Sequence, residues 1–142
     1  YKKNYFPLKE VRAFAEKAKR ATFITAHYSE TLALVRAGDV VYCDPPYLTE
    51  SGNFTSYTEN GFSHLDQGRL ARKLRRLAEK GVSVVASNSD QEMVHYLYAG
   101  FEAMKVKAPR SVGAAAASQK SAAELILKSP VSTASSAGVV AK

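Results

Sequence analysis

Val40-Val41-Tyr42-Cys43-Asp44-Pro45-Pro46-Tyr47 is the stretch on which the reading of this 142-residue chain turns. Its first four residues favour β structure and read as a short buried strand. The next four stop it. Pro45 lacks a backbone N–H and pushes Asp44 away from helical conformation, and Pro46 does the same to Pro45. The turn is therefore stiff, and its carbonyls are released from any ladder. In open α/β sheets ligands bind beyond the carboxyl ends of the strands, which is where Asp44 stands. An ionised aspartate only accepts hydrogen bonds and so suits an amino group. Tyr47 offers its face to a flat heterocycle, and stacking a base on an aromatic ring contributes about 1–3 kcal/mol in nucleic-acid sites. Acceptor, acceptor and ring together fit a planar compound bearing an exocyclic amine. The plainer reading is a Pro-Pro pair that ends a strand while Tyr47 covers an edge. Placement after an apolar strand, with Phe54, Tyr57 and Phe62 in the loop behind, favours the functional reading.

Outward from this stretch, helix and strand signals alternate. Leu8, Val11, Phe14, Ala15 and Ala18 recur at helical spacing after Pro7. The segment 21–26, ATFITA, predicts a strand, and 30–37, ETLALVRA, predicts a helix. Gly38-Asp39 turns the chain into the strand 40–43. Ser63 and Asp66 have capping-box spacing, with Asp where Glu or Gln is usual, and open a helix that carries Leu70, Leu74 and Leu77 on one face. Gly81 ends that helix. Strands are predicted at 82–87, 101–107 and 123–128, with a helix near 90–98. The alternation implies βαβ units and a largely parallel sheet, with the final strand pair as an antiparallel edge. From Ser129 onward the chain is small and polar without periodicity, and reads as a disordered tail.

Composition sets the class. Hydrophobic residues make up 46% of the chain, which excludes disorder as the default, and no apolar run reaches the length of a membrane span. The single cysteine, Cys43, fits a reducing compartment and an inert packing role. A soluble, cytoplasmic protein is expected. Formal net charge is +7 with a pI near 9.5, which favours an anionic partner, nucleic acid first. The basic residues Arg69, Arg72, Lys73, Arg75 and Arg76 share one helix, where a solvated surface is the simpler expectation.

VVYCDPPY resembles the catalytic motif of amino-methyltransferases that use S-adenosylmethionine, in particular DNA adenine methyltransferases of the Dam type. YKKNYFP, FAEKA, NFTSYTENGF, SHLDQGRLA, VSVVASNSD and SAAELILK fall in an order and spacing similar to that family's C-terminal catalytic half, so the likeness covers about residues 1–128. It implies a partial Rossmann-like α/β fold with a mostly parallel sheet. It also implies three segments: the end of a target-recognition segment (1–7), a catalytic part (8–128) and a tail (129–142). By the same resemblance Asp44 and the carbonyl of Pro45 accept hydrogen bonds from the 6-amino group of adenine, Pro46 stiffens the turn, and Tyr47 stacks on the flipped base. The nitrogen then attacks the sulfonium methyl, with neither a metal nor a covalent intermediate. His27, Tyr28, Asp44 and Phe54 are the expected cofactor contacts. Tyr1, Lys2, Lys3, Tyr57 and Arg110 are the expected contacts to double-stranded DNA, the lysines through phosphates. An ordinary loop position for His27 and loop anchoring for Phe54 are the simpler alternatives.

The likeness has gaps. GAAAAS (113–118) departs from the polar residues common in the family, and no glycine-rich loop of the kind that cradles the methionine end of the cofactor is recognisable. Such a loop is expected in an N-terminal segment of a longer chain, and a first residue of Tyr1 fits a fragment. Two other functions compete. One is an amino-methyltransferase acting on RNA or protein, which usually has Asn in place of Asp44. The other is a basic nucleic-acid-binding remnant without activity.

Overall fold

The computed structural model describes residues 6–48, 61–108 and 122–130. In chain order its elements are α1 (Leu8–Ala18), α2 (Tyr28–Ala33), β1 (Val40–Cys43), α3 (His64–Glu79), β2 (Ser83–Ser89), α4 (Glu92–Leu97), β3 (Glu102–Ala108) and β4 (Ala122–Lys128). The four strands form one sheet in the order β1-β2-β4-β3. β1 runs parallel to β2 with Cys43 opposite Ala86, whereas β4 is antiparallel to both β2 and β3. The α/β class is as expected. The predominance of parallel pairing is not, because only one of the three pairings among the described strands is parallel. The physical reason is connection length. α3 gives the long crossover that a parallel β1–β2 pair requires, while β4 inserts between β2 and β3 antiparallel to both.

α3 shows how local sequence builds the core. Ser63 Oγ accepts a hydrogen bond from the Asp66 backbone N–H at 3.2 Å, and Asp66 Oδ2 accepts from the Ser63 N–H at 3.1 Å. Asp66 therefore serves in the capping box despite its shorter side chain, and these bonds hold its carboxyl below the usual range. From that start Leu70, Ala71, Leu74 and Ala78 fall on one buried stripe against Val84, Ala86, Leu125 and Leu127 of the sheet. Leu77 only flanks it, partly buried. Gly81 closes the helix at a φ of 86°, a left-handed conformation that glycine adopts without penalty. Arg75 departs from the expected solvated surface. Its Nη2 donates to the carbonyls of Leu97 at 3.0 Å and Ala99 at 3.2 Å, tying α3 to the end of α4.

Among the segments that differ from expectation, three have a clear physical reason. Residues 21–26 are irregular and exposed, Phe23 and Ile24 included; no strand among the described residues lies beside them to pair their backbone, and β propensity without a partner builds nothing. The second helix begins at Tyr28, two residues early, because His27 caps it. Ser129 was expected to open the tail, yet it is buried, and its N–H donates to the Val84 carbonyl at 2.8 Å while its Oγ accepts from the Val84 N–H at 3.0 Å. The rest of the expected tail, 131–142, lies outside the described residues.

The two faces of the sheet are unequal. α3 and α4 cover one. On the other, Val40, Tyr42, Met104 and Val106 remain exposed, and α1 likewise buries none of its residues. No helix among the described residues is long and apolar enough to cross a membrane.

Two outcomes test this packing in urea unfolding and thiol labelling of the same chain. Leu74, fully buried, should cost about 2–5 kcal/mol when changed to Ala, whereas Arg69→Ala, which removes an exposed bridge to Asp66, should cost under about 1 kcal/mol. Burial, then Asp44, pushes the Cys43 thiol up to about 11. Its labelling by a disulfide reagent at pH 8 should therefore be roughly tenfold or more slower in the folded chain than in urea.

Candidate active site

Strand alternation sorts the residues at the carboxyl edge of β1. Val41 and Cys43 pack toward the core beneath the helices, so Tyr42 and the following Asp44 turn to the opposite face. β2 presents Ser87 on that same face, since Ala86 opposes Cys43 in the parallel register. The contact follows from this geometry. Ser87 Oγ donates to Asp44 Oδ1 at 2.5 Å, and the Tyr42 hydroxyl donates to Ser87 Oγ at 3.3 Å. Ser87 is only 2% exposed, while Asp44 is open to solvent. A charged acceptor thus stands at the surface, tethered from beneath by a buried hydroxyl. Such charge-assisted O–H···O bonds are shorter and stronger than neutral ones.

The two prolines continue the anchoring. Pro45 is buried and Pro46 half-buried, and Leu48 enters the core, so the turn is fixed at both ends. Tyr47 is half-buried between them. Its hydroxyl is pushed up to about 12, chiefly by burial. Its hydrogen bond with Ser87 acts the other way, and the nearby carboxylates of Asp44 and Glu124 add to the rise. Asp44, Ser87 and Tyr47 therefore form one cluster at the ends of β1 and β2, with Tyr42 beneath them.

His27 and Tyr28 go elsewhere. His27 Nδ1 accepts from the Ser29 N–H at 3.3 Å and lies 2.6 Å from Ser29 Oγ, so the imidazole caps α2. Tyr28 is half-buried on the helix side of the sheet, its ring 6.5 Å from Phe62 in an edge contact. Burial raises its hydroxyl, and Asp66 adds to the rise. The structure thus sets the pair His27–Tyr28 near the start of α3 and the cluster Asp44–Tyr47 against Ser87, on opposite faces of the sheet. Phe54, Tyr57, Arg110, Tyr1, Lys2 and Lys3 lie outside the described residues, as does 113–118. Among the described residues no group of His, Cys, Asp or Glu side chains is arranged to hold a metal ion.

Ser87, Tyr42 and Glu124 are the residues that sequence reasoning passed over. A signal for Ser87 was present: β2 ends in the polar run Ser87-Asn88-Ser89 after an apolar start, just as β1 ends in Asp44. Asn88 points to the helix side, where its Nδ2 and the Oε1 of Gln67 are buried without a hydrogen-bond partner among the described residues, although Gln67 Nε2 reaches the Tyr98 hydroxyl at 3.0 Å.

Comparison with known proteins places this arrangement. A model of the family described as D12 class N6 adenine-specific DNA methyltransferase matches residues 1–112. The chain is 50% identical over 126 residues to the retron Ec67 DNA adenine methylase of Escherichia coli, covering 89% of this chain and 43% of that protein. It is 46% identical over 129 residues to a DNA adenine methylase of Vibrio cholerae, covering 89% and 47%. The corresponding figures for the DNA adenine methylase of Escherichia coli K12 are 38% over 128 residues, covering 89% and 46%. The chain spans less than half the length of these curated relatives. With a match that takes in the whole of β1, α3, β2 and β3, the chain belongs to the D12 class N6 adenine-specific DNA methyltransferase family.

Proposed function

We propose that this chain carries the methyl-acceptor part of a DNA adenine methyltransferase, with Asp44 as the residue that receives the 6-amino group of adenine. The observation that carries the reading is the solvent-facing Asp44 carboxylate, held on one oxygen by buried Ser87 at the open end of a parallel strand pair. A flipped base brings both hydrogens of its amine within reach of acceptors, which a base stacked in duplex DNA does not. Asp44 takes one of these hydrogens, and the Pro45 carbonyl is proposed for the other. Both contacts draw the amine into a fixed orientation and raise electron density on its nitrogen. Pro46 keeps the turn rigid, and the ring of Tyr47 supports the base by stacking. Orientation of this kind supplies a large part of the rate in two-substrate reactions.

The donor set fits S-adenosylmethionine in part. A carboxylate and a half-buried ring suit a polar, planar-headed ligand, and Asp44, with His27, Tyr28 and Phe54, is proposed to meet it. When bound, that cofactor supplies an electrophilic methyl group. The glycine-rich loop expected to cradle its methionine end is not recognisable in this sequence, so no residue named here is assigned to that end. The β1-α3-β2 unit with β4 and β3 is read as one side of a Rossmann-like methyltransferase sheet; the parallel crossover and the antiparallel pair support it. Double-stranded DNA is the proposed partner. A net charge of +7 supports it, and Tyr1, Lys2, Lys3, Tyr57 and Arg110 are proposed to contact it.

Transfer of labelled methyl from S-adenosylmethionine to unmethylated duplex DNA by the full-length protein tests the reading. Asp44→Ala should lower transfer roughly a hundredfold or more while duplex binding stays near its starting value; parallel loss of both would make Asp44 structural. Tyr47→Ala should cost about ten- to a hundredfold through lost stacking, and Tyr47→Phe less than about tenfold. Equal damage from the two changes would assign the effect to the hydroxyl.

A further inference from the structure

Ser87 has one proton and two lone pairs to distribute. Its Oγ lies 2.5 Å from Asp44 Oδ1 and 3.3 Å from the Tyr42 hydroxyl. An ionised carboxylate cannot donate, so the Ser87 proton goes to Asp44. The lone pairs of Ser87 are left for donors, of which Tyr42 is one. The direction of the chain is thereby set: Tyr42 to Ser87 to Asp44. Ser87 is 2% exposed on a central strand, paired with β1 on one side and β4 on the other. Its position is therefore fixed by the sheet, whereas Asp44 lies just past the last residue of β1 and is exposed.

We propose that Ser87 is a positioning residue for methyl transfer, fixing the Asp44 carboxylate by binding Oδ1 so that its remaining lone pairs meet the target amine in one orientation. This rests on the reading of Asp44 as the amine acceptor. An exposed aspartate rotates about two side-chain bonds. One strong bond to a rigid partner removes most of that freedom before the base arrives, and the ordering need not be repeated at each turnover. The bond also keeps water from claiming Oδ1. The Tyr47 hydroxyl is hydrogen-bonded with both Ser87 and Asp44, so the stacking ring and the acceptor are tied to the same contact. Ser87 touches no reacting atom in this account and acts through Asp44 alone.

The test pairs variants of equal size. Ser87→Thr keeps a hydroxyl, and Ser87→Val keeps the same volume without one. With carbon-13 in the aspartate carboxyls, the signal lost in Asp44→Asn identifies Asp44 in the 142-residue chain. That signal should move in Ser87→Val and stay near its original place in Ser87→Thr. In the full-length protein Ser87→Val should lower kcat roughly ten- to a hundredfold with KM for DNA within about twofold, and Ser87→Thr should recover most of the loss. An unmoved carboxyl signal, or equal kinetics for Thr and Val, would overturn the positioning role. Transfer that survives Asp44→Ala would instead overturn the acceptor reading beneath it, so the two failures are separate. Ser87→Ala, with melting followed by circular dichroism, checks that neither branched side chain has merely loosened the sheet; a kcat loss that only tracks the melting temperature would also count against the proposal.

Discussion

The parallel register of β1 on β2 is the constraint from which the site descends. Cys43 opposite Ala86 leaves Asp44 and Ser87 as the next residues out on the same face. A one-residue slip would send Asp44 toward the other side of β2 and put Tyr42 under the helices. What prevents the slip is burial. Val84 and Ala86 are fully enclosed beneath Leu70 and Leu74, and each belongs to the face that the register assigns to Val41 and Cys43. Core packing on the helix side therefore sets the chemistry on the open side. The bond from Ser87 to Asp44 reports that the register is right; the apolar contacts are what make it so.

Much of this was legible before any coordinates, and the boundary of legibility has a physical meaning. The capping box at Ser63 and Asp66, the glycine stop at Gly81 and the strand that ends in Asp44 are all local, and local chemistry decides them. The order of the sheet was only half readable. Alternating helices and strands predict parallel pairs, but whether β4 inserts between β2 and β3 depends on contacts distant in sequence. The segment 21–26 shows the same limit in reverse: its residues favour a strand, and favouring one is not having a partner. In the site, Asp44 and the prolines stood out because their residue types are rare in that order, whereas Ser87 could be recognised only through a register. His27 could be read two ways because a histidine after an apolar run suits a ligand contact as well as a helix cap, and the cap is visible only once α2 is in place.

Electrostatics and exposure divide the molecule in a consistent way. The side of the sheet under α3 and α4 holds the aliphatic core, and even its polar members are drawn inward, as Tyr98 shows by accepting from Gln67 at 3.0 Å. The opposite side combines the Asp44 cluster with exposed Val40, Tyr42, Met104 and Val106. Apolar surface of this kind next to a polar cluster marks a contact surface more often than a solvated one. α1 repeats the pattern, with Leu8, Val11 and Phe14 exposed along one stripe. The chain spans less than half of its curated relatives. The stability of the described residues is weighted to one side, where α3 meets the sheet, while the face that bears the proposed chemistry rests on strand pairing and on the anchored turn.

That weighting bears on selectivity. In the proposed reading, the Asp44 carboxylate and the Pro45 carbonyl at the end of β1 favour a base edge that presents hydrogens and disfavour one that presents a carbonyl. Facing a carbonyl, Asp44 would oppose acceptor to acceptor and lose the water it had held. Leaving such a group unpaired costs about 1–3 kcal/mol, enough to discriminate by one or two powers of ten. An asparagine in the same place could turn its amide to satisfy either edge, whereas an ionised aspartate has no such choice. Ser87 sharpens the distinction, because its proton already occupies Oδ1 and it cannot also donate to an incoming carbonyl. In that reading, preference for an amine is built from two refusals, one by a carboxylate without a proton and one by a hydroxyl whose proton is spent.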